Sequence, residues 1–178
     1  AYGELMHKSI GPLRDCATPT VAMIKGACVG GGLEVAGLCD IRICGESSRF
    51  GAPISKLGLV MAYPEISCLR DLVGPQVALE ILLEGRIMDA PEALQKGLVS
   101  RIVADDEVEA EAMATARRIA DGAPLVHRWH RKFLDRLADP TPLSDAEKKE
   151  CFACFDTEDF RTGYQAFLDK KKPEFKGR

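Results

Sequence analysis

The sequence predicts an α/β protein in which strands alternate with helices and a run of helices closes the chain. Three observations carry this expectation. The runs "TVAMIKG" (20–26) and "DIRICGE" (40–46) are short, apolar and rich in β-branched residues, as buried strands are. Between them, "GACVGGGLEVAGLC" sets three glycines where a strand would meet a helix. From Glu107 onward the apolar residues recur at helical spacing. Alternation of this kind builds a sheet covered by helices.

In chain order, Tyr2, Leu5, Met6, Ile10 and Leu13 recur at helical spacing, and Thr18 followed by Pro19 stops that helix before the first strand. The glycines follow, then a helix to about Cys39, then the second strand. Pro64 and Glu65 suit the first turn of a helix that Gly74 closes, and Pro75 opens another that reaches about Glu84. Asp89 and Pro91 cap a short helix ended by Gly97, and "LVSRIV" (98–103) is a further strand. The helical tail is broken at 122–124 and 139–142. Residues 1–122 are expected to form the core and 123–178 a helical region.

Composition narrows the function. With 178 residues, 46% hydrophobic and 29% charged, the chain can bury a proper core. A net charge of -3, with no like-charge run longer than 170–172, excludes an electrostatic footprint for nucleic acid. No apolar stretch approaches the ~20 residues of a membrane span, and no charged-then-apolar leader is present. A soluble protein of the cytoplasmic compartment is expected. Seven cysteines agree with that, since Cys16, Cys28, Cys39, Cys44 and Cys68 sit singly among apolar neighbours, as reduced thiols do. Cys151-Phe-Ala-Cys154 lacks a second pair, so "KKECFACFDTEDF" reads as a helix packing Cys and Phe inward. His127 and His130 share a helix face without a nearby Cys or carboxylate and read as exposed. No metal site is expected.

The glycines are the chemical signal. A Gly-rich turn into a helix leaves the first amides unpaired, and with no Cβ in the way an oxygen can approach them. A phosphate loop would need Gly-Lys-Ser/Thr after the last glycine, and a dinucleotide fingerprint would need a glycine where Val35 stands. The remaining use is to stabilise an oxyanion developing on a thioester carbonyl, a contribution of about 3 kcal/mol per donor in acyl-transfer sites.

The run "TPTVAMIKGACVGGGLEVAGLCDIRICGESSRFGAPISKLGL" resembles the signature region of the crotonase (enoyl-CoA hydratase/isomerase) superfamily. The likeness continues through "VGPQVALEILLEGRIMDAPEALQKGLVSRIV" to "DTEDFRTGYQAFLDKKKPEFKGR" and covers nearly the whole chain. It implies a spiral of stacked β-β-α turns with a helical C-terminal region that builds trimers, often paired into hexamers. It also implies acyl-CoA thioester substrates, with coenzyme A entering only as part of the substrate. The family's core opens with roughly 80 further residues, so the chain reads as a partial core.

By this resemblance Gly31 is an oxyanion-hole donor and Glu34 the first of two catalytic carboxylates. The spacing agrees, because a residue three after Gly31 lies about one turn along the same helix face. The plainer reading makes Glu34 a partner of the helix dipole, a contribution of about 0.3 to 1 kcal/mol. In two-glutamate hydratases the residue after the proline of the F-G-x-P segment is the second glutamate. Here "FGAPISKLG" places Ile54 there. Losing one proton-transfer group removes a factor of about 100 to 10,000 unless another residue substitutes. Glu65 is the candidate substitute, and by its place an ordinary first-turn helix acid. Pro53, Ile54 and Tyr63, with Ser55, are expected to line the acyl pocket.

In the tail, the resemblance sets Phe167 against a neighbouring subunit's acyl chain and Lys170 near its nucleotide. Periodicity alone gives an amphipathic helix with a solvated lysine face. Phe133, Leu134, Leu137, Phe152, Phe155, Phe160 and Tyr164 add more apolar surface than a helical tail can hide, which favours a homo-oligomer. An enoyl-CoA hydratase is the leading expectation. The alternatives are a decarboxylase or isomerase of the same superfamily, and a catalytically silent CoA binder.

Overall fold

The two apolar runs form β1 (Val21–Ile24) and β3 (Ile41–Gly45), which pair in parallel with Val21 opposite Ile41 and Ile24 opposite Cys44. β6 (Arg101–Val103) adds to the other edge of β3, again parallel, with Ile43 opposite Arg101. A central parallel strand is covered on both faces, and residues 42–45 are accordingly all buried. These elements come from a computed structural model that describes residues 11–178. Tyr2, Leu5, Met6 and Ile10 of the expected opening helix lie outside the described residues, and 11–14 are helical.

Each of β1 and β3 turns a corner into a second short strand. Lys25 and Gly26, with Gly26 at φ 75°, lead into β2 (Ala27–Val29), and residues 46–48 lead into β4 (Arg49–Gly51). β2 and β4 pair in parallel, and β5 (Met88–Asp89) adds to β4 antiparallel. Strands of two or three residues are too short to show a period-2 pattern, so the sequence reading passes over all three as loop. The corners are tied to one another: Arg49 N–H donates to Gly26 O at 3.1 Å and Glu46 N–H to Val103 O at 3.0 Å, and the buried Ser48 hydroxyl donates to Ile24 O at 3.4 Å.

Helices complete each turn. α1 (Gly31–Leu38) follows β2; a 3-10 turn (Pro53–Leu57) and α2 (Tyr63–Glu84) follow β4; α3 (Ala90–Gln95) follows β5. The result is the stack of β-β-α turns that the resemblance implies. α2 is interrupted at Gly74 (φ 77°, ψ 162°), so it is two helical halves, divided at the Gly74–Pro75 junction legible in the sequence. α3 is capped by Asp89, whose carboxylate accepts from Glu92 N–H at 2.9 Å. Phe50, Ile43, Ile81 and Leu98 are almost wholly buried in the core.

The chain divides into two compact units, Thr20–Thr115 with the residues up to Cys16, and Ala116–Arg178 with Ala17–Pro19. α4 (Val108–Ala120) carries the chain across that division; α5 (Pro124–Leu137), α6 (Asp145–Glu150), a 3-10 turn (Ala153–Asp156) and α7 (Glu158–Leu168) lie in the second unit. There the buried Asp159 accepts from Lys176 N–H at 2.7 Å and Gly177 N–H at 2.8 Å, pinning the extended C-terminal segment to α7.

Two expectations for the tail are corrected. The stretch around Cys151 and Cys154 is not one helix packing inward: α6 ends at Glu150, Thr157 starts α7 afresh, and Phe152 and Phe155 are 62% and 53% exposed. His127 is half-buried, with ring Nε2 2.9 Å from Ile119 O, because the break at Gly122 folds α5 against the last carbonyls of α4. Among the described residues, no helix is long and apolar enough to cross a membrane.

Candidate active site

The start of α1 is built by backbone geometry. Gly30 precedes the helix at φ 56°, ψ -122°, a conformation open to glycine and costly for any residue with a Cβ. Its N–H donates to Gly51 O at 2.9 Å, and its carbonyl accepts from Glu34 N–H at 3.1 Å, so the turn is fixed to β4 on one side and to α1 on the other. No side chain caps the helix. Gly31 and Gly32 are exposed, and a Cβ added at either would find nothing within 4 Å. Packing among the described residues therefore does not require glycine at these positions. Their effect is to leave the amides at the positive end of the helix open to approach.

Leu33 and Ala36 bury one face of α1 in the core. Arg42 fastens its far end: buried in β3, the guanidinium donates to Ala36 O at 3.4 Å, to Cys39 O, and to Leu98 O at 3.0 Å. A cation on the last carbonyls of a helix also complements its dipole. The sequence reading assigns Arg42 no role. The available signal was a lone arginine inside an otherwise apolar strand, which is rarely tolerated without buried acceptors.

α1 and the first half of α2 enclose a cleft of about 590 Å³. Leu33, Leu38, Met61, Leu69 and Leu72 make its apolar wall, and Arg14, Asp15, Cys68, Glu34 and Glu65 are its polar members. The helices approach closely at Gly37, where an added Cβ would already touch Cys68 Sγ at 3.5 Å. Burial pushes the Glu34 carboxyl above its ordinary range, and the like charge of Glu65 pushes it further. Glu65 Oε2 is buried without a hydrogen-bond partner among the described residues. The cleft thus holds two carboxylates against an apolar wall, and burial there favours the protonated form of Glu34. By contrast, the thiols of Cys28 and Cys44 are pushed up to about 11, chiefly by burial, and are poor nucleophiles.

Gly31 is the first residue of α1, one turn before Glu34, and is not part of the cleft wall. Pro53 begins the 3-10 turn, and Ile54 packs half-buried against the core. Ser55 is exposed in the same turn. Tyr63 is 91% exposed at the start of α2, while its neighbours Ala62 and Pro64 line the cleft. Phe167 is 80% exposed on α7, and Lys170 follows that helix at φ 55°.

Fold and site together define an α/β protein with a glycine-opened helix beside an acidic, apolar cleft. The profile of the enoyl-CoA hydratase/isomerase family matches residues 2–178. The chain is 36% identical over 168 residues to the Mycobacterium bovis protein named "Probable enoyl-CoA hydratase echA8", covering 93% of this chain and 65% of that one. It is 33% identical to the short-chain-enoyl-CoA hydratase of Clostridium acetobutylicum, covering 99% and 69%. A solved structure of an enoyl-CoA hydratase/carnithine racemase from Magnetospirillum magneticum superposes with a TM-score of 0.97 at 54% identity, covering 99% of this chain and 66% of that one. The chain belongs to the enoyl-CoA hydratase/isomerase family. It spans about two thirds of the length of these relatives.

Proposed function

We propose that this protein hydrates the double bond of enoyl-CoA thioesters. The observation that carries the reading is the pairing of an uncapped, glycine-opened helix start with a carboxylate one turn further on, in an apolar cleft. The thioester carbonyl is taken by the Gly31 amide, which stabilises the negative charge that gathers on that oxygen as the α-carbon accepts or loses a proton. Glu34 carries the proton. Its carboxyl is held above the usual range by burial and by Glu65, which suits a group that must give a proton as well as take one. The substrate supplies coenzyme A, and no other cofactor is invoked. Pro53, Ile54 and Tyr63 are assigned to the acyl end of the site.

The test is hydration of crotonyl-CoA by the wild type and by Glu34→Gln. Loss of about 100- to 10,000-fold in kcat, with affinity for acetoacetyl-CoA retained, is the expected outcome. Equal rates in the two proteins would remove Glu34 from the mechanism. The alkyl side chain of Ile54 favours a second reading, an acyl-CoA decarboxylase or isomerase, in which stabilising an enolate matters more than paired acid and base. Water addition to crotonyl-CoA, double-bond migration in 3-butenoyl-CoA and carbon dioxide release from a malonyl-CoA-type thioester separate these readings.

The tail is assigned to assembly with further copies of the chain, where Phe167 and Lys170 serve a neighbour's site. Leu134, Leu137, Phe152, Tyr164 and Phe167 are all more than half exposed, the condition in which apolar helices bury themselves against a partner. Sedimentation at micromolar concentration is expected to give a trimer or a dimer of trimers. A monomer would withdraw the roles of Phe167 and Lys170.

A further inference from the structure

We propose that Glu65 is the second proton-transfer group of this site, acting from the first turn of α2 opposite Glu34. The inference rests on the hydratase reading and deepens it. Adding water to a carbon–carbon double bond needs a proton removed from water on one side and a proton delivered to the α-carbon on the other, and the residue at position 54 is an isoleucine that can do neither.

The geometry of Glu65 is not that of a helix-capping acid. Glu147, at the equivalent third position of α6, shows what capping looks like: its carboxylate accepts from the Ser144 amide at 2.7 Å and from the Ser144 hydroxyl at 2.7 Å. Glu65 has no such bond to the start of α2. It lines the cleft instead, with Oε2 buried and unpartnered among the described residues. A buried carboxylate oxygen without a donor costs free energy, and it persists where the fold holds it in place for another purpose. Glu34 lines the same cleft, where burial raises its pKa and the like charge of Glu65 raises it further. Two carboxylates lining one cleft supply the two proton-transfer groups that hydration needs.

Glu65 takes a proton from water as that oxygen bonds to the β-carbon. The π electrons move onto the thioester oxygen at the Gly31 amide. The enolate then collapses as the Glu34 proton bonds to the α-carbon. The water O–H, the Glu34 O–H and the C=C π bond break, while one C–O, one C–H and the Glu65 O–H bond form, and the proton gained by Glu65 is returned to Glu34 through solvent.

This assignment separates two reactions on one site. Exchange of the α-hydrogens of butyryl-CoA in deuterium oxide needs only Glu34 and the oxyanion donor, whereas hydration of crotonyl-CoA needs both carboxylates. In the full-length protein, Glu65→Gln is expected to lose about 100- to 10,000-fold in hydration while keeping α-exchange within a few-fold of wild type, and Glu34→Gln to lose both. Hydration by Glu65→Gln within about threefold of wild type would overturn the proposal and leave the function standing. Equal loss of both reactions in Glu65→Gln would overturn it too, because that marks a residue that only holds the site in shape. A wild type that exchanges the α-hydrogens but hydrates nothing would instead remove the hydratase reading, and the role of Glu65 with it.

Discussion

The start of α1 and the start of α6 handle the same physical problem in opposite ways. Both helices begin with amides that have no intrahelical acceptor. At α6, Ser144 and Glu147 close a reciprocal capping box, and Arg136 joins the Glu147 carboxylate. At α1, Gly30 and Gly31 supply no side chain at all. The remaining helix starts with a described cap side with α6: Asp89 and Thr157 accept from backbone amides, while α2 and α5 carry Pro64 and Pro124 in the first turn, which removes a donor. α1 alone of these six has neither device. The difference teaches that an open helix start is something the chain avoids when it is building structure. Where it is left open beside an acidic cleft, the unpaired amides are available to a ligand.

The largest test of that contrast removes one amide. Proline is tolerated at the first helical position, so Gly31→Pro deletes the N–H while α1 survives. Hydration of crotonyl-CoA is expected to fall by about 100- to 1,000-fold, with thermal stability near that of the wild type. A variant with full activity would mean that the open start serves no oxyanion.

A smaller effect probes what aims α1. Arg42→Met removes the guanidinium that ties Ala36, Cys39 and Leu98 together, and with it a charged donor to each of those carbonyls, although Ala36 O keeps the Cys39 N–H. The expected loss is about 3 kcal/mol in denaturant unfolding, together with reduced activity, since Glu34 rides on the same helix. The control at the closed end is Ser144→Ala, expected to cost about 1 kcal/mol of stability and to leave hydration unchanged.

The smallest effects are in the pH dependence, and the two glutamates should bend it in opposite directions. Glu147 is held down to about 2, chiefly by the Ser144 hydroxyl and then by Arg136. Its folded pKa lies below the ordinary 4.5, so its contribution is complete above 4.5 and is lost as pH falls toward 2. Glu34 is raised, first by burial and then by Glu65, so its contribution is complete below 4.5 and is lost as pH rises through its folded value. Urea unfolding across this range is expected to show a flatter acid limb in Glu147→Gln and a smaller loss toward neutral pH in Glu34→Gln. Identical pH profiles in wild type and both variants would show that neither environment persists in solution.

Much of this molecule is written locally, and those parts are legible in the sequence. The cap at Asp89, the break at Gly74 and Pro75, the stop at Gly97 and the glycine turn before α1 each depend on residues within a few positions of one another, because caps and turns satisfy nearby backbone groups. Gly31 and Glu34 lie one helical turn apart for the same local reason, and the roles proposed for them come from the family resemblance. Strands β2, β4 and β5 were not, because they exist only by pairing with segments distant in the chain, and their two or three residues carry no pattern of their own. The exposure of Phe152 and Phe155 and the half-burial of His127 were likewise settled by how helices meet. So was the use of Arg42, whose acceptors lie on α1 and before β6. Glu65 is the clearest case: its sequence position is that of an ordinary first-turn acid, and only the packing of α2 against α1 sets it in the cleft with Glu34, 31 positions earlier in the chain. Local sequence determined the helix ends and the placing of Glu34 one turn after Gly31. The tertiary structure decided which second carboxylate shares that carboxylate's cleft, since proton chemistry depends on distance in space and burial, and neither is encoded in spacing along the chain.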